Sequence, residues 1–218
     1  MRSEVGQISG GVAGVCSLLF TFHSLLLLGC ATPQVPSRVV YENPTSFVRM
    51  ELDPRVLPDT PDTGHDHPAM VAAELVADIL RSVSVRDHRL AVHVWVSGQA
   101  PVESAFAEAE IQLLASKLSE GLANATPKER VTFYLSYPQT SVKREITSGS
   151  LYVRNGYLHF TLSNHRDIYG IPAYGMIYDR RYPALPIVPK GFDVLFEPRS
   201  EEHTSELQSR FGISYAVF

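Results

Sequence analysis

The sequence predicts an α+β fold: an antiparallel sheet with two helices packed on one face, followed by a long Pro/Tyr-rich C-terminal segment. Three observations carry that expectation. Apolar residues recur at helical spacing after Pro68 and again after Ser104. "RVTFYLSYP" alternates apolar and polar residues as a half-buried strand does. "SLYVRNGYLHFTL" places Asn155-Gly156 between two alternating runs, the strongest short-range signal of a two-residue β-hairpin.

The elements follow in order. "SRVVYENPTSFVRMEL" reads as two short strands around the turn pair Asn43-Pro44, with Val39, Tyr41 and Phe47 as β-formers. An acidic, proline-containing loop, "DPRVLPDTPDTGHDHP", comes next. Pro68 suits the first position of a helix, whose apolar face is Ala72, Leu75, Val76, Ile79 and Leu80 and whose end falls near Ser82. "LAVHVWVSG" alternates in part and is expected as a strand closed by Gly98. Ser104 is expected to cap the second helix, with a stripe of Ala107, Ile111, Leu114, Leu118, Leu122 and Ala125, stopped by Thr126-Pro127. In the strand after it, Val131, Phe133, Leu135 and Tyr137 point one way and Thr132, Tyr134 and Ser136 the other.

The Asn-Gly turn sets the register of the hairpin: Arg154 opposes Tyr157, Val153 opposes Leu158, Tyr152 opposes His159 and Leu151 opposes Phe160. Leu151, Val153, Leu158, Phe160 and Leu162 then form a core face. Tyr152, Arg154, Tyr157 and His159 share the opposite face, an aromatic and cationic set of the kind enriched where proteins bind partners or sugars. The remainder, "RDIYGIPAYGMIYDRRYPALPIVPKGFDVLFEP", has tyrosines and prolines at irregular intervals and is expected to wrap the domain, ending in a short strand at "FDVLF".

Composition narrows the function classes. The chain has 218 residues, 44% of them hydrophobic, which allows one ordinary domain with processing segments at its ends. With 19 Lys and Arg against 23 Asp and Glu, no strong field would draw it to nucleic acid, and no nucleic-acid partner is expected. Both cysteines, Cys16 and Cys30, lie near the N-terminus, so the rest of the chain has no thiol for a disulfide, a metal or nucleophilic catalysis.

From Val5 to Gly29 there is no Lys, Arg, Asp or Glu, and the run is apolar enough to enter a bilayer as a helix. It ends in Leu27-Leu28-Gly29-Cys30 and is followed by the small, polar stretch "ATPQVPS". This resembles the lipobox of bacterial lipoproteins. The resemblance implies cleavage between Gly29 and Cys30 and lipidation of the Cys30 thiol, with Leu27 at the aliphatic position and Gly29 as the small residue that admits the peptidase. Leu28 is bulkier than is usual at its place. Residues 1–29 are then a signal peptide, 30–36 a lipidated linker and 37–198 a single α+β domain. Several acyl chains, at ~0.8 kcal/mol per buried methylene, hold such a protein on a membrane. Ala31 after the cysteine implies the periplasmic face of the outer membrane, with the inner membrane as the alternative. "ERVTFYLS" and "TSGSLYVRNGYLHFTLSN" also resemble segments of bacterial lipoproteins, and bring no activity with them.

The last residues, "RSEEHTSELQSRFGISYAVF", resemble a peptide that recurs at the ends of unrelated proteins where sequencing-adaptor DNA has been translated in frame. The resemblance implies that 199–218 is a non-native tail that neither pairs into the sheet nor joins the core, and that its charged residues serve no function.

For chemistry, the candidates are histidines. His65 and His67 form an H-x-H pair that could face one metal ion with a carboxylate such as Asp62, and His159 and His165 could add to it through the fold. The simpler expectation is a solvated loop with His67 capping the helix. "TSGSLY" lacks the nucleophile elbow and is expected as a turn or strand bulge. No phosphate loop, dinucleotide fingerprint or H-E-x-x-H sequence occurs, so no cofactor is expected. The expectation is therefore a lipid-anchored envelope module that acts by binding a protein or glycan. The alternative is a metal-dependent envelope enzyme built on His65 and His67.

Overall fold

The computed structural model describes residues 36–56, 63–170, 191–197 and 212–215. Asn43 makes the first turn, its Oδ1 accepting from the backbone N–H groups of Thr45 and Ser46. This joins β1 (Ser37–Glu42) to β2 (Ser46–Leu52) as an antiparallel pair. The chain then leaves the sheet, builds α1 (Ala73–Ser82), β3 (Val83–Asp87), α2 (Ala91–Ser97), β4 (Val102–Ser104) and α3 (Glu108–Asn124), and returns as β5 (Glu129–Pro138) beside β2. β6 (Lys143–Arg154) and β7 (Tyr157–Gly170) continue the antiparallel sheet, and β8 (Phe192–Phe196) joins a separate one. The last strand, β9, is Gly212–Tyr215. The larger sheet has the order β1-β2-β5-β6-β7-β9 and the smaller β4-β3-β8. The α+β class is as predicted, with two sheets and three helices among the described residues.

α3 lies on the larger sheet against β1, β2, β5 and β6, while α1 packs on α3 and reaches β3. The predicted stripe of α3 forms its inner face: Ile111, Leu114, Leu118 and Leu122 are buried with Val76, Ile79 and Leu80 of α1. Val131, Phe133, Leu135, Leu151, Val153, Leu158, Phe160 and Leu162 meet them from the sheet. The hairpin register is the predicted one at all four rungs. Asn155 (φ 54°) and Gly156 (φ 73°) both have positive φ, as a two-residue turn matching strand twist requires. The expected bulge at "TSGSLY" is present, as the β6–β7 register shifts between Ile146 and Gly149.

Several expectations are corrected. "LAVHVWVSG" is helical over Ala91–Ser97 and not a strand; β3 beside it pairs with β4 and β8 instead. Gly98 still closes the element, at φ 75° and with its N–H on the Val94 carbonyl. Pro68 does not begin a helix, because Ala69 N–H donates to Leu122 O and Val71 O accepts from Ser119 Oγ, which ties this stretch to α3 until Ala73. Ser104 belongs to β4 and donates to Phe106 O; the α3 entry is instead closed by Glu110, whose carboxylate accepts from Ala107 N–H. "RDIYG" is not irregular, since β7 runs on to Gly170 opposite Lys143–Ile146. "FDVLF" is a strand as expected, in the smaller sheet.

One part of the tail expectation, that it would not pair into the sheet, is corrected too. Gly212–Tyr215 pairs in parallel with Tyr157–Phe160 as an edge strand. Its "GISY" is a β-forming run, and the edge of β7 offers unpaired backbone groups to any such run.

Candidate functional site

Gly29 and Cys30, the cleavage and lipidation residues, lie outside the described residues, as does Asp62. Among the described residues, no helix is long and apolar enough to cross a membrane.

The histidine loop is not a solvated loop. His65 and His67 are buried, and the strap that carries them is hydrogen-bonded at His65, Asp66, His67, Ala69 and Val71. His65 N–H donates to Pro127 O at 2.8 Å, Asp66 N–H to Val153 O at 2.7 Å and Ala69 N–H to Leu122 O at 2.9 Å. Asp66 itself accepts from Gly156 N–H in the hairpin turn. The strap therefore laces the end of α3 to the β6–β7 hairpin, and places His65 against Tyr152.

The two imidazoles do different work. His67 Nδ1 lies 3.3 Å from Leu122 O, which can only accept, so Nδ1 carries the proton; Nε2 then accepts from Val153 N–H at 3.3 Å. The ring is a neutral crosspiece, and burial holds its pKa below the usual histidine value despite the bond to Leu122 O. His65 Nε2 is 3.1 Å from Asp53 Oδ2, while its Nδ1 is buried and has no hydrogen-bond partner among the described residues. Asp53 also accepts from Arg55 through Nε, Nη2 and the backbone N–H. Burial alone would raise the Asp53 carboxyl; the bonds from His65 and Arg55 outweigh it and hold the group well below the ordinary carboxylate range.

Above this pair stands a column of rings. His65 and Tyr152 are 4.3 Å apart by ring centroid, and Tyr152 and His159 are 4.6 Å apart and nearly parallel at 6°. The Arg55 guanidinium lies 5.2 Å from the Tyr152 centroid. Of the predicted patch, the structure brings Tyr152 and His159 into contact and leaves Tyr157 exposed and Arg154 half-buried. Tyr152 is not an accessible surface residue: it is the buried middle of the column, with His159 as the ring nearer to solvent. Burial also lowers the His159 pKa, with the positive charge of Arg154 acting in the same direction against a backbone hydrogen bond.

As a metal site the arrangement is poor. Both His67 nitrogens are engaged by backbone, His65 Nε2 faces Asp53, and no three His, Cys, Asp or Glu side chains among the described residues are grouped to share an ion. His165 is elsewhere on β7, in edge contact with Phe192, beside a cavity of about 340 Å³ also lined by Asp87, His88, Arg89 and Glu103. Asp53 and Arg55 escaped the sequence reading because "ELDPRVLP" looks like any acidic turn. Only the fold brings Asp53 to a histidine twelve residues later. Comparison with known protein families, with curated proteins and with solved structures gives no match for this chain.

Proposed function

We propose that this chain is a lipid-anchored bacterial envelope protein, held at the periplasmic face of the outer membrane through Cys30, that acts as a binding or accessory module. The lipobox-like LLGC sequence supports the anchor, and the column His65–Tyr152–His159 supports the binding role. Three rings in contact cost little conformational entropy to order. They present His159 and the neighbouring Tyr157 and Arg154 as a rigid aromatic and cationic face toward a glycan or protein. The carrying observation is the near-parallel Tyr152–His159 stack, which fixes His159 from beneath. Two measurements test the proposal. Radiolabelled palmitate is incorporated by the native chain and not by Cys30→Ala; incorporation by the variant rules out the anchor. Purified peptidoglycan sacculi retain the protein, and Tyr157→Ala with His159→Ala loses that retention; equal retention rules out this face.

One observation favours a second reading, a metal-dependent envelope enzyme: the buried His65 Nδ1 has no partner among the described residues and would be a ligand once Asp62 or another group approached. Elemental analysis of the detergent-solubilised protein, with melting followed before and after a chelator, decides it. Stoichiometric metal and a chelator-dependent melting point are expected of the enzyme. Their joint absence rules it out.

A further inference from the structure

The segment between β3 and β4 has a feature that the ring column does not explain. Leu90, Val92, Trp95 and Val96 are exposed, Trp95 by 89%, Val92 by 70% and Val96 by 73%, and no residue from Ala91 to Ser97 is buried. Ala91, Val92, Val94, Trp95 and Val96 cover most of the circumference and His93 and Ser97 share the one polar side, so most of this helix belongs in an apolar surrounding. In water this one has little to support it: seven residues, three of them valine, no side-chain cap and no charge placed to complement its dipole. In a bilayer, by contrast, a short segment gains by satisfying its backbone groups internally as a helix.

We infer that α2 and its flanks are a membrane-docking protrusion that inserts into the headgroup and upper acyl region of an anionic phospholipid surface. Three observations select lipid over a protein partner. The apolar residues cover all but the His93–Ser97 side of the helix, a wider arc than a flat protein face would cover, and one that a helix sunk into the headgroup region buries while that polar side stays toward water. From His88 to Pro101 the chain carries Arg89 and His93, with His88 already on the Asp193 carboxylate, and no carboxylate of its own, which complements anionic headgroups. Trp95 has the residue type that settles at membrane–water interfaces, and it is flanked by Val94 and Val96. The adjoining cavity is lined largely by polar and charged side chains, among them Asp87, His88, Arg89, Glu103 and His165, and so offers no apolar seat for this helix from a second copy. The inference rests on the lipid-anchor reading only in that the anchor brings the domain to the bilayer; the protrusion would then fix the domain's orientation on it.

Trp95 is the sole tryptophan of the chain, so its fluorescence reports this site alone. The protein purified from bacterial membranes is reconstituted into phosphatidylethanolamine–phosphatidylglycerol vesicles, with palmitate labelling followed in parallel. The expected result is blue-shifted Trp95 emission, quenched by lipids brominated on their acyl chains and protected from acrylamide. Val92→Asp with Val96→Asp, both exposed positions that leave the core intact, abolishes the blue shift and the bromine quenching while circular dichroism is unchanged. Palmitate present with Trp95 fully open to acrylamide overturns the docking and leaves the anchor standing. Palmitate absent with Trp95 still quenched by bromine overturns the anchor and leaves the docking standing. Blue-shifted emission that bromine does not quench overturns the docking and points to a protein occupant.

Discussion

At the residue scale, His67 is held neutral by what surrounds it: a carbonyl on one nitrogen, a backbone N–H on the other, and burial that disfavours charge. Its folded pKa lies below the unfolded value, so protons bind the unfolded state more readily. The stability it contributes is present above the ordinary histidine value of 6.5 and is lost as pH falls through that value toward the folded one. His159 and His165 are depressed by burial as well and act with the same sign. Urea denaturation of the native chain should therefore show stability declining over this range, with a shallower decline in His67→Gln. His67→Ala should cost about 2–4 kcal/mol, since it leaves a buried carbonyl and a buried N–H unpaired. Glu129 runs the other way. Its carboxylate accepts from Arg38 Nε and Nη2 and from Thr126 N–H and is pulled down to about 2, chiefly by the Arg38 hydrogen bonds, against a cost of burial. Its contribution is present above the ordinary carboxylate range and is lost as pH falls through about 2.

At the element scale, the β6–β7 hairpin and α3 were legible because each needs only local information. A strand alternates because its neighbours lie on opposite faces, and Asn-Gly tolerates the positive φ that the turn demands. The sequence could not say that Gly149 is irreplaceable. A Cβ there would meet the Thr161 carbonyl oxygen and the Phe133 ring, so the strands approach as they do only because the side chain is missing. Gly149→Ala should destabilise the chain by about 2 kcal/mol or more, visible as a lowered urea midpoint. α2 was misread for an equally physical reason. Leu90, Val92, Val94 and Val96 alternate, but alternation makes a strand only where the run pairs with a neighbour, and in the fold β3 pairs with β4 and β8 and not with this run.

At the scale of the whole molecule, Gly212–Tyr215 adds one short parallel strand outside β7. Four residues at an edge contribute little beside the core shared by α1, α3 and both sheets. A chain ended at Pro198 should keep its melting temperature within a few degrees and lose hydrogen-exchange protection only along the Tyr157–Phe160 edge; a large fall in melting temperature would make the tail part of the fold. What the sequence by itself determined was local: the hairpin and its register, the apolar face of α3, the α+β class, and the expectation of a lipid anchor at Cys30. Only the tertiary structure decided that His65 would meet Asp53, that Tyr152 would be buried between two histidines, and that a Val- and Trp-rich run would stand exposed as a helix. Periodicity reports which face of an element is apolar. Which distant group faces it, or whether anything does, depends on contacts between residues far apart in the chain, and those exist only after the sheets and helices have closed on one another.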